Sequence, residues 1–216
     1  MRLVLPLLML ALHLFWWSPA AAQHALLKDI VTQRNLAELQ KSLKDGFYKG
    51  EAGILRIRPE AAKSLGLKVF VDSDYLDARE LLEQATSSLE AAKGFMATRD
   101  EETYVGEHIR NIGILYLHYR RSLERAKQKL LPYHAKLDPA ADERLNDTAC
   151  RRLMDKLLAE CFKRAENRLR DGLGLFYNAC HDPDQDPAFL NTENVEFVNE
   201  VFQRFVTEYP REGAMP

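Results

Sequence analysis

The strongest constraint on the fold is a repeated spacing of apolar residues in two long segments. Between Ser73 and Ala97 the apolar positions alternate steps of three and four residues, which places them on one side of a helix. The same steps continue from about Glu101 to Leu131, and Pro132 is expected to end or kink this helix. The predicted buried seam of the second helix is Val105, Ile109, Ile112, Tyr116, Tyr119, Leu123, Ala126 and Leu130. Two such seams predict long amphipathic helices that bury their apolar sides on one another. Part of a seam could instead remain available to a partner, because the pattern does not show whether its complement lies in the same chain.

Helical spacing extends over most of the remaining chain. We predict one helix over Gln23–Lys44, one from the turn at Asp138-Pro139 to about Cys180, and a last one from Asn191 or Thr192 to Tyr209. The fold class predicted is therefore all-α. Helices joined by short polar turns indicate an antiparallel, elongated bundle of about five helices.

A short irregular segment at 46–72 interrupts the helical pattern. Apolar residues alternate with charged ones around Leu55 to Ile57, and apolar residues recur at every second position from Leu67 to Val71. These stretches could be two very short strands, because alternation is typical of half-buried strands. Between them, 59–65 is expected to form one or two helical turns that begin at Pro59.

The N-terminus has the pattern of a secretory signal peptide. Arg2 precedes an almost wholly apolar run from Leu3 to Trp17, and Ala20 and Ala22 form an A-x-A cleavage site. We predict that residues 1–22 are removed and that 23–216 form a single helical domain, periplasmic or secreted. An uncleaved membrane anchor is the alternative, although the run is shorter than the roughly 20 apolar residues of a span.

The charge balance argues against a general nucleic-acid binder, since 30 basic residues face 32 acidic ones and the net charge is −2. The distribution is uneven. From Arg110 to Arg170 there are 15 basic and 8 acidic residues, whereas from Asp171 onward there are 2 basic and 9 acidic. Complementarity within the chain would explain this asymmetry. The alternative is a basic patch for a polyanion or acidic lipid around Arg120, Arg121, Arg125, Lys127 and Lys129.

The segment from Asp182 to Glu193 carries the most specific motif. It reads D-P-D-Q-D-P-A-F-L-N-T-E and lies between two predicted helices. Four carboxylates occupy its first, third, fifth and twelfth positions: Asp182, Asp184, Asp186 and Glu193. In this spacing the segment resembles the calcium loop of the EF-hand family, and the resemblance implies a calcium site with these ligands. Pro187 replaces the glycine of the sixth position, and the alternative is an Asp-Pro-rich interhelical turn.

Three cysteines, Cys150, Cys161 and Cys180, form an odd set for an oxidising compartment. Cys150 and Cys161 would lie about 16 Å apart along one helix, too far to bridge. A disulfide would therefore join Cys180 to Cys150 or Cys161, or link the chain to another molecule. The alternative is that all three are buried as small apolar residues.

The histidines show no metal-ligand spacing, but one polar stripe could line a pocket within the bundle. Its members would be Tyr104, His108, Asn111 and His118. Residues that are solvated or hydrogen-bonded at a helix boundary are the alternative interpretation.

No serine-elbow, phosphate-loop or paired-carboxylate motif occurs in the sequence. We therefore expect an exported, non-enzymatic helical protein that binds a protein partner or a small ligand in the cell envelope. The mature chain is expected to have no membrane span and no nucleic-acid partner. No cofactor is indicated except calcium, and a calcium-binding or calcium-stabilised helical protein is the alternative. An enzyme whose site is assembled from distant residues stays open.

Overall fold

The structure, a computed structural model, describes residues 19–45, 48–97, 105–181 and 191–209. Over these residues the fold is all-α, with seven α-helices and one short 3-10 helix at Glu143–Leu145. The helices are α1 (Pro19–Asp45), α2 (Pro59–Ser64), α3 (Ser73–Ala97), α4 (Val105–Ala135), α5 (Asp147–Arg164), α6 (Leu169–His181) and α7 (Thr192–Glu208). The all-α prediction is confirmed, and the count of about five helices is wrong.

The predicted signal peptide lies mostly outside the described residues. Helix α1 begins at Pro19 and continues through Ala22 and Gln23, the predicted cleavage position. The signal peptide, its cleavage and the export of the chain therefore stay predictions. No helix within the described ranges is both long enough and apolar enough to cross a membrane.

The predicted fourth helix divides into α5 and α6, because the chain turns sharply between them. Glu166 and Asn167 have positive φ angles of 52° and 62°, and the Asn167 N–H donates to the carbonyl of Phe162 over 2.8 Å. This is the left-handed helix end that asparagine tolerates better than most residues. Helix α6 then packs so closely on α5 that a Cβ on Gly172 would overlap the Phe162 ring.

Helix α4 passes through Pro132 and ends at Ala135, so of the two expected effects of Pro132, an end or a kink, the end at Leu131 is wrong. Proline removes one backbone hydrogen bond from a helix, but tertiary contacts hold the last turn here. The buried Tyr133 hydroxyl donates to the carbonyl of Phe70 over 2.9 Å. The His134 Nδ1 lies 3.1 Å from the hydroxyl of Tyr48.

The two short strands expected within 46–72 do not form. Residues 52–57 make a tight turn closed by one antiparallel bridge between Ala52 and Ile57. Around 67–71 the chain is extended, but Lys68 and Phe70 donate their N–H groups to the carboxylates of Glu143 and Asp142. Side chains thus take the hydrogen bonds that a neighbouring strand would otherwise accept. The predicted helical turns are present as α2.

Two apolar clusters make up the core. The larger one joins the N-terminal half of α1, the 54–62 segment and helices α5, α6 and α7. The smaller one joins the N-terminal part of α3, the C-terminal part of α4, Tyr48 and the end of α1. The 52–57 turn belongs to the larger cluster, and the 3-10 helix connects it to Tyr133 of the smaller one.

Arg144 of the 3-10 helix makes that connection. Its guanidinium is fully buried and forms a bidentate pair with the buried carboxylate of Asp142, with nitrogen–oxygen distances of 2.9 and 2.7 Å. It also donates to the carbonyl of Gly50 and to the hydroxyl of Tyr133, each over 2.7 Å. One side chain therefore joins the 3-10 helix, the 48–58 segment and α4.

Candidate functional site

Helices α3 and α4 form an antiparallel hairpin whose two ends are fixed differently. At the base, Asp74 of α3 pairs with Lys129 of α4 at 3.2 Å and with Lys136, which directly follows α4, at 2.6 Å. At the tip, His108 Nε2 lies 2.7 Å from the carbonyl of Phe95, and the two rings meet edge to face. The hairpin is thus closed along its whole length by contacts between its own helices.

The distal part of the hairpin contributes to neither apolar core. No residue of 83–97 or 105–125 belongs to either cluster, and α3 and α4 pack chiefly on each other there. Large apolar side chains are nevertheless exposed. The most exposed are Ile109 (64%), Met96 (56%), Leu117 (54%), Tyr116 (51%) and Ile114 (43%).

Helix α4 is apolar on more than one side over 112–119. Ile112, Leu115 and Tyr119 are half-buried, whereas Ile114, Tyr116 and Leu117 are exposed around the same turns. A helix that is apolar all round is normally covered all round. Since α3 covers one side only, the uncovered sides form a candidate interaction surface, hereafter the hairpin face: Ile109, Ile114, Tyr116 and Leu117.

Charges on the two helices of the hairpin are opposite in sign. Helix α3 has five acidic and two basic residues, whereas α4 has two acidic and six basic ones. Lys129 forms ion pairs with Asp74 and Asp77 of α3. Arg120, Arg121 and Arg125, in contrast, are exposed and form no ion pair within the described ranges. An unpaired basic surface therefore borders the hairpin face.

An open groove of about 460 Å³ lies along this basic surface, between α4 and the end of α1. Its lining is Asp45, Leu117, Arg120, Arg121, Leu123, Glu124 and Lys127. Leu117 thus belongs both to the groove and to the hairpin face. The basic patch expected from the sequence falls on this part of α4, and its proposed polyanion or lipid ligand stays a prediction.

The sequence predicted only part of the hairpin face. Ile109 and Tyr116 were placed in the buried seam, but both are more than half exposed. Ile114 and Leu117 lie outside the predicted seam altogether. The signal that could have identified them is the nearly unbroken apolar run from Ile112 to Leu117, which exceeds what one seam requires.

The predicted polar stripe does not converge on one pocket in the described part of α4. His108 is committed to the Phe95 carbonyl, Asn111 is half-buried, and His118 is exposed. His108 and His118 are separated by about 15 Å along the helix axis. Tyr104 lies outside the described residues, so the pocket as a whole stays a prediction.

Of the predicted calcium ligands, only Glu193 lies within the described residues, while Asp182, Asp184 and Asp186 do not. Glu193 is in the first turn of α7, where one carboxylate oxygen lies 2.7 Å from Lys49 Nζ and the other accepts from the Tyr177 hydroxyl over 3.2 Å. Burial alone would raise the pKa of Glu193, but Lys49, Arg58 and Tyr177 lower it to about 2. The described residues contain no cluster of three or more metal-ligating side chains, and the calcium site stays a prediction.

Cys150, Cys161 and Cys180 are free and buried, and all three belong to the larger core. The disulfide that would join Cys180 to Cys150 or Cys161 is not formed in the structure. Burial raises the pKa of Cys150 to about 11 and raises the pKa of Cys180 further. The three thiols are therefore protonated at neutral pH and pack as small apolar side chains, which is the alternative that the sequence left open.

In comparisons with known proteins, no protein-family model, no curated protein and no solved structure matches the chain.

Proposed function

We propose that the protein is an exported, non-enzymatic module that binds a protein partner through the hairpin face. The observation that carries the proposal is the exposure of Ile109, Tyr116 and Leu117, each at least half exposed on a helix that has a covering neighbour on one side only. Contiguous exposed apolar side chains are typical of protein interaction sites. The predicted signal peptide supports a role in the cell envelope.

The partner that best fits the hairpin is a second copy of the chain. A two-fold axis beside two hairpins would place the acidic helix α3 of each copy against the basic helix α4 of the other. Arg120 and Arg121 would then face acidic residues such as Glu83 and Glu90, which are exposed on α3. The hairpin faces would be buried between the copies, and the four helices would form an antiparallel bundle.

The shape of α3 also fits this arrangement. Thr86, Ser87 and Ala91 are small and exposed on its distal half, so a neighbouring helix can approach closely there. The large apolar residues lie on α4 instead. Large side chains on one helix facing small ones on the other are what a close-packed interface requires.

Charge reversal tests this proposal. Variant A carries Arg120→Glu and Arg121→Glu, and variant B carries Glu83→Lys and Glu90→Lys. In a homodimer of either variant, the residues at 83 and 90 of α3 and those at 120 and 121 of the partner copy's α4 would have the same sign and repel each other. In the mixed dimer of A with B every such contact is attractive, so we expect each variant alone to be monomeric and the mixture to be dimeric in sedimentation velocity.

The control variant is Arg151→Glu with Arg152→Glu, two exposed arginines of α5 that lie far along the chain from the hairpin. It changes the net charge as variant A does and should remain dimeric. Thermal melts of A and B would show that each hairpin is still folded. A mixture that stays monomeric, or a dimer that survives in A and in B alone, contradicts the proposed pairing.

A further inference from the structure

A second, independent feature lies where the 48–58 segment meets the end of α6 and the start of α7. The turn at 53–56 places Arg56 with a φ of 50°, in the left-handed region that is uncommon for arginine, and its side chain is 6% exposed. The Arg58 N–H donates to the carbonyl of Cys180 over 3.2 Å, which fixes the segment against α6. Two arginines are thereby held beside the buried C-terminal turn of a helix.

Five buried polar atoms at this place have no hydrogen-bond partner in the described part of the chain. They are Arg56 Nε, Arg58 Nε, Asn178 Nδ2, His181 Nε2 and Asn194 Oδ1, and we call these residues the arginine cluster. Nearly all buried polar atoms in native proteins are hydrogen-bonded to protein or to water. Five unpartnered atoms in one cluster therefore indicate a binding site for a ligand that forms hydrogen bonds with them.

The orientation of each group is fixed by the bonds it does make. Asn194 Nδ2 donates to the carbonyl of Gly174 over 3.0 Å and to Asn178 Oδ1 over 2.6 Å, so Asn194 Oδ1 and Asn178 Nδ2 are the atoms left over. His181 Nδ1 lies 3.0 Å from the carbonyl of Tyr177 and must donate to it. In neutral imidazole the other nitrogen, Nε2, is then an acceptor.

The charges around the cluster do not cancel. The carboxylate of Glu51 is fully buried, 3.5 Å from Arg56 Nη2 and 3.9 Å from Arg58 Nε, so the two guanidiniums share it. Glu193 pairs with Lys49. Burial, together with the two arginines, holds the pKa of His181 well below its usual value, so its imidazole is neutral. Among the described residues, three cations therefore face two anions, and one positive charge is in excess.

We propose that the arginine cluster binds a small oxyanion that also carries a hydroxyl group, and that inorganic phosphate fits it. Phosphate oxygens would accept hydrogen bonds from Arg56, Arg58 and Asn178. A phosphate hydroxyl would donate to His181 Nε2 or to Asn194 Oδ1. The anion would balance the excess charge, and it would enter beside Lys49, whose side chain is 34% exposed, and Glu193, which is 48% exposed.

Sulfate is the matched control ligand, because it has the size and oxygens of phosphate but no hydroxyl at neutral pH. Titration calorimetry of the protein from Gln23 onward with sodium phosphate, at constant ionic strength and neutral pH, should give saturable heat, and phosphate should raise the melting temperature. Sulfate should bind at least about tenfold more weakly, which corresponds to one lost hydrogen bond to a buried group. No saturable heat with phosphate, or equal binding of phosphate and sulfate, would overturn the proposal.

Variants locate the site. Arg58→Gln removes one donor at the accessible edge of the cluster and should weaken phosphate binding by about tenfold or more. Arg58→Lys keeps the charge but removes the Nε donor, and it provides the same test if the glutamine variant does not fold. Arg168→Gln is the control, since Arg168 is an exposed arginine that pairs with Asp171 elsewhere on the surface. Phosphate binding that is unchanged in both Arg58 variants would place the ligand somewhere else.

Discussion

At the scale of single residues, the buried pair of Arg144 and Asp142 is the most consequential contact. Both side chains are fully buried, and the guanidinium donates hydrogen bonds to Asp142, to two backbone carbonyls and to the Tyr133 hydroxyl. Such a pair adds little stability over an apolar substitute, but loss of one partner leaves an uncompensated buried charge. The pair therefore fixes how the 3-10 helix, the 48–58 segment and α4 are arranged.

Arg144→Met tests this role. We expect the variant to lose about 3–5 kcal/mol of unfolding free energy, because Asp142 is left buried without its counter-ion. Urea unfolding followed by circular dichroism measures the loss. Lys93→Met is the control, since Lys93 pairs with Glu90 at the surface and should contribute less than about 0.5 kcal/mol. A loss below about 1 kcal/mol in Arg144→Met would mean that the pair does not hold the segments together.

Glu193 gives a prediction for acid stability. Its pKa is about 2 in the folded chain against an ordinary value of 4.5, so the folded state favours the charged form. The stabilisation is complete above pH 4.5 and is lost as the pH falls toward 2. We expect Glu193→Gln to be less stable than the wild type at neutral pH, with the difference shrinking between pH 4.5 and 2.

The matched control for Glu193 is Glu196→Gln on the exposed side of the same helix, measured by thermal melts across the same pH range. If the melting temperatures of Glu193→Gln and the wild type differed by a constant amount from pH 2 to 7, Lys49 and Tyr177 would not stabilise the charged form of this carboxylate.

Some residue roles could be read from the sequence and others could not. Asn191 was a predicted helix start, and its side chain does accept from the Asn194 N–H. The start of α3 was predicted at Ser73 or Asp74, with either residue as the cap. The helix begins at Ser73, but Asp72 supplies the cap and accepts from the Tyr75 N–H over 3.0 Å. Arg144 and Asp142 gave no signal, because charged residues are usually exposed and only the tertiary fold buries them.

At the scale of elements, the bounds of α3 follow from its regular seam and were predicted as Ser73–Ala97. The division between α5 and α6 was missed, because the apolar spacing runs on through a turn that depends on two positive φ angles. The 52–57 turn was mistaken for a strand, since Leu55 and Ile57 alternate with Arg56 and Arg58 in the pattern of a half-buried strand.

Gly53 tests the packing of that turn. It has a φ of 68°, and a Cβ there would overlap the carbonyl oxygen of Arg144. Gly53→Ala should therefore lose more than the roughly 1–2 kcal/mol that a left-handed conformation costs a residue with a side chain. Gly66→Ala is the control, because Gly66 has a φ of 85° but open space around it and should show only the conformational cost. Equal losses in urea unfolding would contradict the close contact between the 52–57 turn and the 3-10 helix.

At the scale of the whole molecule, the sequence predicted an all-α protein but not its division into two cores. Seams show that helices pack, but they do not identify which helix covers which side. Near the base of the hairpin, Ala126 and Leu130 are buried in the smaller core. Farther along the same seam, Tyr116 and Ile109 are more than half exposed. The end of α1, Tyr48 and the 70–71 segment belong to the smaller core and are absent from the distal hairpin, and periodicity does not encode their positions.

Export is a prediction about the whole chain. We expect protein produced with residues 1–22 in a bacterial host to accumulate outside the cytoplasm and to begin at Gln23, because Ala20 and Ala22 form the predicted cleavage site. Intact-mass spectrometry of the purified protein measures the N-terminus. Ala22→Arg should block cleavage without changing the apolar run. A cytoplasmic product that keeps residues 1–22 would contradict the proposed place of action.

The central claim is that the hairpin face is covered by a second copy of the chain. Size-exclusion chromatography with light scattering measures the molar mass directly. We expect twice the mass of one chain for the wild type at micromolar concentrations, and the mass of one chain for Ile109→Asp with Leu117→Asp, two exposed changes that leave both cores intact. A wild type that remains a single chain up to about 100 μM, where even a weak dimer of roughly −6 kcal/mol would form, would contradict the claim.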